Sequence, residues 1–382
     1  MDKSNFLPDQ YDRTNLLSIN HNYLSYQFAD CDEVLAKIRE VVLRGDFTLG
    51  RAVDDFEARY AEMIGVDHAV GVGSGTDALF LSLKVADIGS GDEVITTPFT
   101  FYATIGAIVT AGARPVFVDI GTDYNIDADR IEAAITPRTK AILPVHWSGK
   151  PCRMGVICDV AERHGLKVIE DACHAIGASY KGQSAGSFGI AGCFSMHPLK
   201  NLNVWGDGGV ICTNDTIFAK KLRLIRNHGL VDRDTCKFFS YNSRLDTVQA
   251  VVAAHLLDRI DHITERRICN ASYMDAAFSQ IPGITIPQRD RHDVKQVYHI
   301  YSLLFERRDE LQTYLIQRDI DAKVHYPTPM HLQPAASSFG YRFGDFPVTE
   351  SVVARTLSLP VHEFITRKHC DVMIAAIRDF YE

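Results

Sequence analysis

The hydrophobic and polar positions of this chain change period along its length. Near the start, "CDEVLAKIREVVLRGD" spaces Val34, Leu35, Ile38, Val41 and Val42 at helical intervals, which predicts an amphipathic helix with these five on one face. From about Asp67 to Thr213, short apolar runs alternate with helical patterns. The runs "HAVGVG", "DEVITT", "RPVFVD", "KAILPV", "LKVIED", "AGCFSM" and "GGVICT" are rich in Val and Ile and read as strands. Most are apolar throughout rather than alternating, as expected of strands covered by helices on both faces. The pattern predicts an α/β doubly wound fold, with ligands collecting at the carboxyl ends of the strands. Further on, "LDTVQAVVAAHLLDRIDHITERRI" predicts one long helix leading out of the large domain. Beyond it, "HIYSLLFE", "RDELQTYLIQRDI" and "FITRKHCDVMIAAIRDFYE" suggest a small α+β domain. The expected division is a large domain over residues 1–265 and a small one over 266–382.

Composition narrows the classes. With 46% hydrophobic and 23% charged residues in 382, a sizeable core is available. The formal charge is −8, with basic residues scattered rather than clustered, which argues against a nucleic-acid partner. Nine cysteines sit mostly in apolar runs, without CxxC pairs or metal-ligand spacing. They read as reduced thiols of a cytoplasmic protein with no metal centre. The polar start "MDKSNFLPDQYDRTN" has no apolar leader, and no apolar run reaches the roughly 18 residues of a membrane span.

Three short stretches carry candidate chemistry. "GVGSGTDALFLSL" reads as a strand, a Ser-Gly-Thr turn and a helix start near Asp77. Free N–H groups beside a glycine there make either a phosphate cradle or an ordinary turn. In "LKVIEDACHAIGASY", Asp171 closes a buried strand, either as a helix N-cap or as a carboxylate paired with a cationic ring nitrogen. In "CFSMHPLKNLNVWGDGGVICTND", Lys200 follows a strand among Phe194, Met196, Pro198, Leu202 and Trp205. It is either a solvated lysine or a desolvated, nucleophilic amine. In this order, the three are the fixed points of a pyridoxal phosphate site: phosphate cradle, partner of the pyridine nitrogen, and Schiff-base lysine.

The blocks "FTLGRAVDDFEARYAEMIGVDHAVGVGSGTDAL", "GDEVITTPFTFYAT", "EDACHAIGA", "FSMHPLKNL", "GDGG", "RNHG", "YNSRLDTVQA", "KVHYPTPMHLQP", "GDFPVTE" and "LSLPVH" run nearly end to end. In them the chain resembles the DegT/StrS family of sugar aminotransferases, pyridoxal phosphate enzymes of fold type I. The resemblance implies a mostly parallel seven-stranded sheet between helices and a small C-terminal α+β domain. It implies that Gly75, Thr76 and Ser195 hold the cofactor phosphate, Phe101 stacks on the ring, and Asp171 pairs with the ring nitrogen. His174 would stand near the phenolic oxygen, and Lys200 would form the internal aldimine, with pyridoxamine 5'-phosphate as the intermediate form. Asn242 would reach a partner subunit's phosphate, which makes a homodimer the expected unit.

The implied reaction moves an amino group from L-glutamate, or alternatively L-glutamine, to a ketosugar, most often a nucleotide-linked deoxy-ketosugar in aminosugar biosynthesis. Free or phosphorylated ketosugars, a keto-octulosonate and ketocyclitols stay open, as do a sugar dehydratase or lyase and a non-catalytic cofactor-binding regulator. Relatives that dehydrate replace the lysine by histidine, and "HPLKNL" keeps it. "VHWSGKP" and "LKNLNVWGDGG" depart from the usual pattern at Trp147 and Trp205. Both are read as bordering the substrate mouth, or else as packing on each other or on a dimer partner. His325, Tyr326 and His331 are expected on the substrate side, or as packing within the small domain.

Overall fold

A computed structural model of the chain describes residues 17–290 and 292–382, so the polar start quoted above lies outside it. The first strands in chain order are β1 (His68–Val72), β2 (Glu93–Thr96), β3 (Arg114–Phe117), β4 (Thr139–Ile142) and β5 (Lys167–Asp171). Two short strands follow, β6 (Ser179–Tyr180) and β7 (Gln183–Ser184), then β8 (Ala191–Ser195) and β9 (Gly209–Thr213). All but β6 and β7 form one seven-stranded sheet of order β1-β9-β8-β5-β4-β2-β3. Each of its strands falls on one of the seven runs read from the sequence. Neighbours pair parallel except β9, which is antiparallel to both β1 and β8.

The continuous apolar runs are explained by cover on both faces. Val70, Val72, Ile169 and Ile211 pack with Leu79, Ala107 and Ile108 of the helices Gly75–Val85 and Tyr102–Ala111. Val168 and Ile142 face Ile157 and Val160 of the helix Met154–His164. Val210 and Cys212 meet Phe56, Tyr60 and Leu256 on the same opposite side. Each fully buried aliphatic side chain of this kind stabilises the fold by about 1.5–3 kcal/mol.

Two sequence expectations need correction. The N-terminal helix, Cys31–Arg44, buries Val34 and Val41 but leaves Leu35 and Val42 exposed. It contacts the core through a stripe two turns long and one residue wide, not through a broad face. The expected single long helix is two helices, Thr247–Leu257 and Ile260–Phe278. The break is a tight turn in which the Arg259 N–H donates to Leu256 O at 2.9 Å, three residues back. Asp258, at the same turn, accepts from Arg59 at 2.5 Å. The segment has no glycine or proline to mark that turn.

Beyond the second helix, β10 (Ile284–Thr285), β11 (Val294–Lys295), β12 (Tyr301–Phe305) and β13 (Thr356–Leu359) follow. Strands β10, β12 and β13 make an antiparallel sheet, while β11 pairs with β6. Met274, Phe278, Leu303, Phe305, Leu315 and Met373 form a separate core around that sheet. Residue 265 lies inside the helix Ile260–Phe278, whose Ile260 joins the large-sheet core and whose Ala271 joins the C-terminal one. Ile19 also packs into this C-terminal core. Its N–H donates to Asp319 O at 3.1 Å, and the Asp321 N–H donates back to Ile19 O at 2.7 Å. Among the described residues no helix is long and apolar enough to cross a membrane.

Candidate active site

The carboxyl ends of β1, β5 and β8 open into one cleft, closed on its far side by residues of the C-terminal sheet and its loops. Gly75, Thr76, Phe101, Asp171, His174, Ser195 and Lys200 all line it, although they come from stretches up to 125 residues apart (200 − 75).

The Gly75–Val85 helix starts at the end of β1, and the Ser74 hydroxyl caps it by accepting from the Asp77 N–H at 3.0 Å. The N–H groups of Gly75 and Thr76 have no intrahelical acceptor and belong to the positive end of the helix dipole. A Cβ on Gly75 would lie 2.6 Å from Ser195 Cβ and 3.0 Å from Cys173 Sγ, so only glycine lets this turn sit against β8. The result is an anion cradle made of backbone N–H groups with a serine hydroxyl beside it.

Asp171 is buried at the end of β5. Its Oδ2 accepts from Thr104 Oγ1 at 2.7 Å and its Oδ1 from the Cys173 N–H at 3.2 Å. Thr104 is itself paired with Thr100 at 2.7 Å. These donors fix the orientation of the carboxylate, which faces the cleft. It is not the cap of a helix.

Lys200 sits in the connection from β8 to β9. Burial of its amine holds it below the ordinary lysine range, offset in part by Cys173 and Asp171. Its Nζ lies 3.4 Å from His299 Nε2. The His299 ring lies 4.4 Å from that of His174, tilted by 47°. Burial holds both imidazoles well below their usual value, with the Lys200 charge acting in the same direction, so both are neutral. Nδ1 of each is buried without a hydrogen-bond partner.

His325 and Tyr326 form part of the opposite wall. His325 Nδ1 pairs with Ser358 Oγ at 3.0 Å, and burial pushes its pKa down to about 3. The Tyr326 ring lies 5.6 Å from Phe101, which is 46% exposed towards the cleft.

Other expected residues lie elsewhere. Trp147 is 1% exposed and packs behind the wall, 4.4 Å from Phe99 and 5.6 Å from Tyr326. The turn Trp147–Gly149, with Ser148 at φ 56°, directs the indole into the core, away from the mouth. Trp205 meets Phe28 edge-on at 5.5 Å, and Gln249 bonds both its N–H and its carbonyl at 2.9 Å. It does not line the cleft, and the two tryptophans do not pack on each other. His331 is buried against Phe346 and bonded to Glu350 at 3.0 Å, which is packing within the C-terminal part. Asn242 is exposed on a loop bridged to Asn227, outside the cleft of its own chain.

Sequence reasoning missed His299, Tyr23 and Arg267, all of which line the cleft. His299 stands just before β12 in "VYHIYSLLF", a run whose apolar character signals only a strand.

The donor set fits pyridoxal phosphate: an anion cradle that a side chain would fill, a fixed carboxylate, unpartnered buried imidazole nitrogens and a desolvated amine. Comparison with known proteins agrees. The chain is 41% identical over 351 residues to a pleiotropic regulatory protein of Geobacillus stearothermophilus, covering 91% of this chain and 94% of that one. It is 40% identical over 351 residues to a dTDP-3-amino-3,4,6-trideoxy-alpha-D-glucose transaminase of Streptomyces venezuelae, covering 92% of each. Its fold superposes on the crystal structure of S. venezuelae DesV in complex with a ketimine intermediate with a TM-score of 0.93 at 38% identity, covering 96% of this chain and 99% of that one. The model of the DegT/DnrJ/EryC1/StrS aminotransferase family matches residues 29–378, and the chain belongs to that family.

Proposed function

We propose that this pyridoxal phosphate-dependent aminotransferase moves an amino group from L-glutamate to the keto group of a nucleotide-linked sugar. The observation that carries the reading is the buried amine of Lys200, set in one cleft with the fixed Asp171 carboxylate and the Gly75 anion cradle. Bound cofactor would supply an aldehyde carbon for Lys200 Nζ to bond, an electron-withdrawing ring, and a carrier for the amino group between the two half-reactions.

The side chains supply the rest. Backbone N–H groups of Gly75 and Thr76, with the Ser195 hydroxyl, hold the phosphate. Asp171, held in place by Thr104 and the Cys173 N–H, would pair with the protonated ring nitrogen. Phe101 covers the ring face, and neutral His174 offers a hydrogen bond to the phenolic oxygen. Lys200, once released by the donor, is an amine of lowered pKa placed to take the proton from the donor's Cα and to hold it for redelivery. Neutral His325 and the Tyr326 hydroxyl suit sugar hydroxyls, which both give and accept hydrogen bonds.

In this reading residues 1–265 hold the cofactor, and residues 266–382 bring the opposite wall. Asn242 serves a partner subunit's phosphate in a homodimer. The test is the visible absorbance of protein saturated with pyridoxal phosphate, before and after L-glutamate. A Lys200-dependent band that glutamate bleaches, with one 2-oxoglutarate released per site, is expected, and Lys200→Ala abolishes the band. No band in the unsubstituted protein overturns the cofactor role of Lys200. A band that glutamate leaves unchanged overturns the donor. The name of one relative favours a regulatory role as the second reading. Turnover of a nucleotide-linked ketosugar with glutamate would exclude a purely regulatory role.

A further inference from the structure

The turn that carries Lys200 is held by side chains from two distant parts of the chain. Leu199, just before the lysine, has φ 74°, a left-handed conformation that a γ-branched residue keeps only when its surroundings impose it. The hydroxyl of Tyr23 lies 3.2 Å from Leu199 O and 3.3 Å from Lys200 O. Burial raises its pKa, so it remains a donor. Arg267 Nη2 donates to the Tyr23 oxygen at 2.8 Å, and the same guanidinium is 3.5 Å from Glu363 Oε2. Glu363 Oε1 accepts from Gln27 Nε2 at 3.0 Å, and Gln27 Oε1 accepts from Asn203 Nδ2 at 2.7 Å. Asn203 Nδ2 also donates to Lys200 O at 3.0 Å, which closes the ring where it began.

This ring of six residues, Lys200, Tyr23, Arg267, Glu363, Gln27 and Asn203, is buried almost entirely, with Tyr23, Gln27, Asn203 and Arg267 each at 2% exposure or less. Five of its six links are hydrogen bonds and the Arg267–Glu363 link is an ion pair, and a closed network fixes each member more tightly than separate contacts would. Arg267 also donates from Nη1 to Tyr298 O at 3.2 Å and to His299 O at 3.5 Å. One guanidinium therefore bears on both backbones whose side chains meet at the Lys200–His299 contact. Tyr23 and Gln27 precede residue 29, where the family match begins.

We propose that Tyr23 and Gln27 are positioning residues for Lys200, through which the N-terminal segment and Arg267 hold the lysine turn and its contact with His299. The proposal rests on the functional reading of Lys200. Tyr23→Phe removes one oxygen from one arm of the ring, and Gln27→Leu cuts the other arm at similar volume. Each is loaded with pyridoxal phosphate, and the rate at which the Lys200-dependent band appears is followed, with the pH at which the band titrates. Steady-state kinetics are measured alongside.

Tyr23→Phe is expected to slow band formation and lower kcat about tenfold, with the KM for glutamate unchanged, because misplacement of a reacting amine acts on orientation more than on binding. Gln27→Leu should move the same quantities in the same direction, and Tyr26→Phe, at an exposed site, should move none. If Tyr23→Phe does not fold, Gln27→Leu carries the test alone. Band formation and titration within twofold of the unsubstituted protein, even with a lowered melting temperature, would mean the ring is structural only and overturn the proposal. Absence of the band in the unsubstituted protein overturns the functional reading, and this inference with it.

Discussion

At the scale of single residues, the site depends on contacts between groups far apart in sequence. Gly75 shows this most directly, because the obstacle to a side chain there is Ser195, 120 residues on (195 − 75), and Cys173. Its backbone is not in the left-handed region, so Gly75→Ala tests close approach alone. Overpacking of this kind costs about 1–3 kcal/mol. If the strain falls on the loaded state, cofactor affinity drops roughly ten- to hundredfold. A titration of cofactor-free Gly75→Ala with pyridoxal phosphate, followed by absorbance, measures it. Unchanged affinity would place the phosphate somewhere other than this helix start. Lys200 and Asp171 could be singled out because Asp171 ends an apolar run and Lys200 closely follows another, in a chain where such ends face a crevice. His299, Tyr23 and Arg267 were not, because their meaning lies in partners that no local pattern names. The two tryptophans show the reverse error. Rarity and loop position drew attention to them, and packing against Phe99 and Phe28 accounts for where they sit.

At the scale of elements, reading was easiest where burial leaves one solution. A short Val- and Ile-rich run apolar on both faces suits a covered strand, and the seven runs read as strands pair into one sheet. Reading failed at the turn of Asp258 and Arg259, where helical periodicity continues on both sides of the break. It also failed for Leu35 and Val42, whose spacing suits a core face that the helix does not fully use. Helix starts are more predictable. Asp215 caps the helix Thr216–Ile225, its Oδ1 accepting from the N–H groups of Ile217 at 2.7 Å and Phe218 at 3.0 Å. Asp215→Ala should lower stability by ~1 kcal/mol without altering the Lys200-dependent band, since the helix lies away from the cleft mouth. Urea denaturation of the loaded protein reads the first quantity, and its spectrum reads the second. A change in the spectrum would show that this helix bears on the site.

At the scale of the whole molecule, the two cores meet across a cleft walled by neutral histidines, and this ties stability to pH. Burial, the largest cause, pushes His325 and His362 down from 6.5 to about 3. Charges of His21 and Lys323 add to the effect at His325, and the charge of Arg267 adds at His362. Above about pH 6.5 both histidines are neutral whether the chain is folded or not, and they leave stability independent of pH. Below it the unfolded chain binds protons that the folded cleft refuses, until the pH reaches about 3. Stability should therefore fall with acidification through this window, each histidine contributing at most ~1.4 kcal/mol per pH unit. Asp321, held below the usual carboxylate range by His21 and Lys323 against its burial, acts elsewhere. Its stabilising contribution is lost only below about pH 4, so it does not confuse the reading. Urea midpoints measured from about pH 7.5 to about pH 5 should fall, and His362→Gln should flatten the slope by up to one proton. A midpoint that stays level or rises towards pH 5 would mean that the cleft admits charged histidines, and that its walls stand open to water.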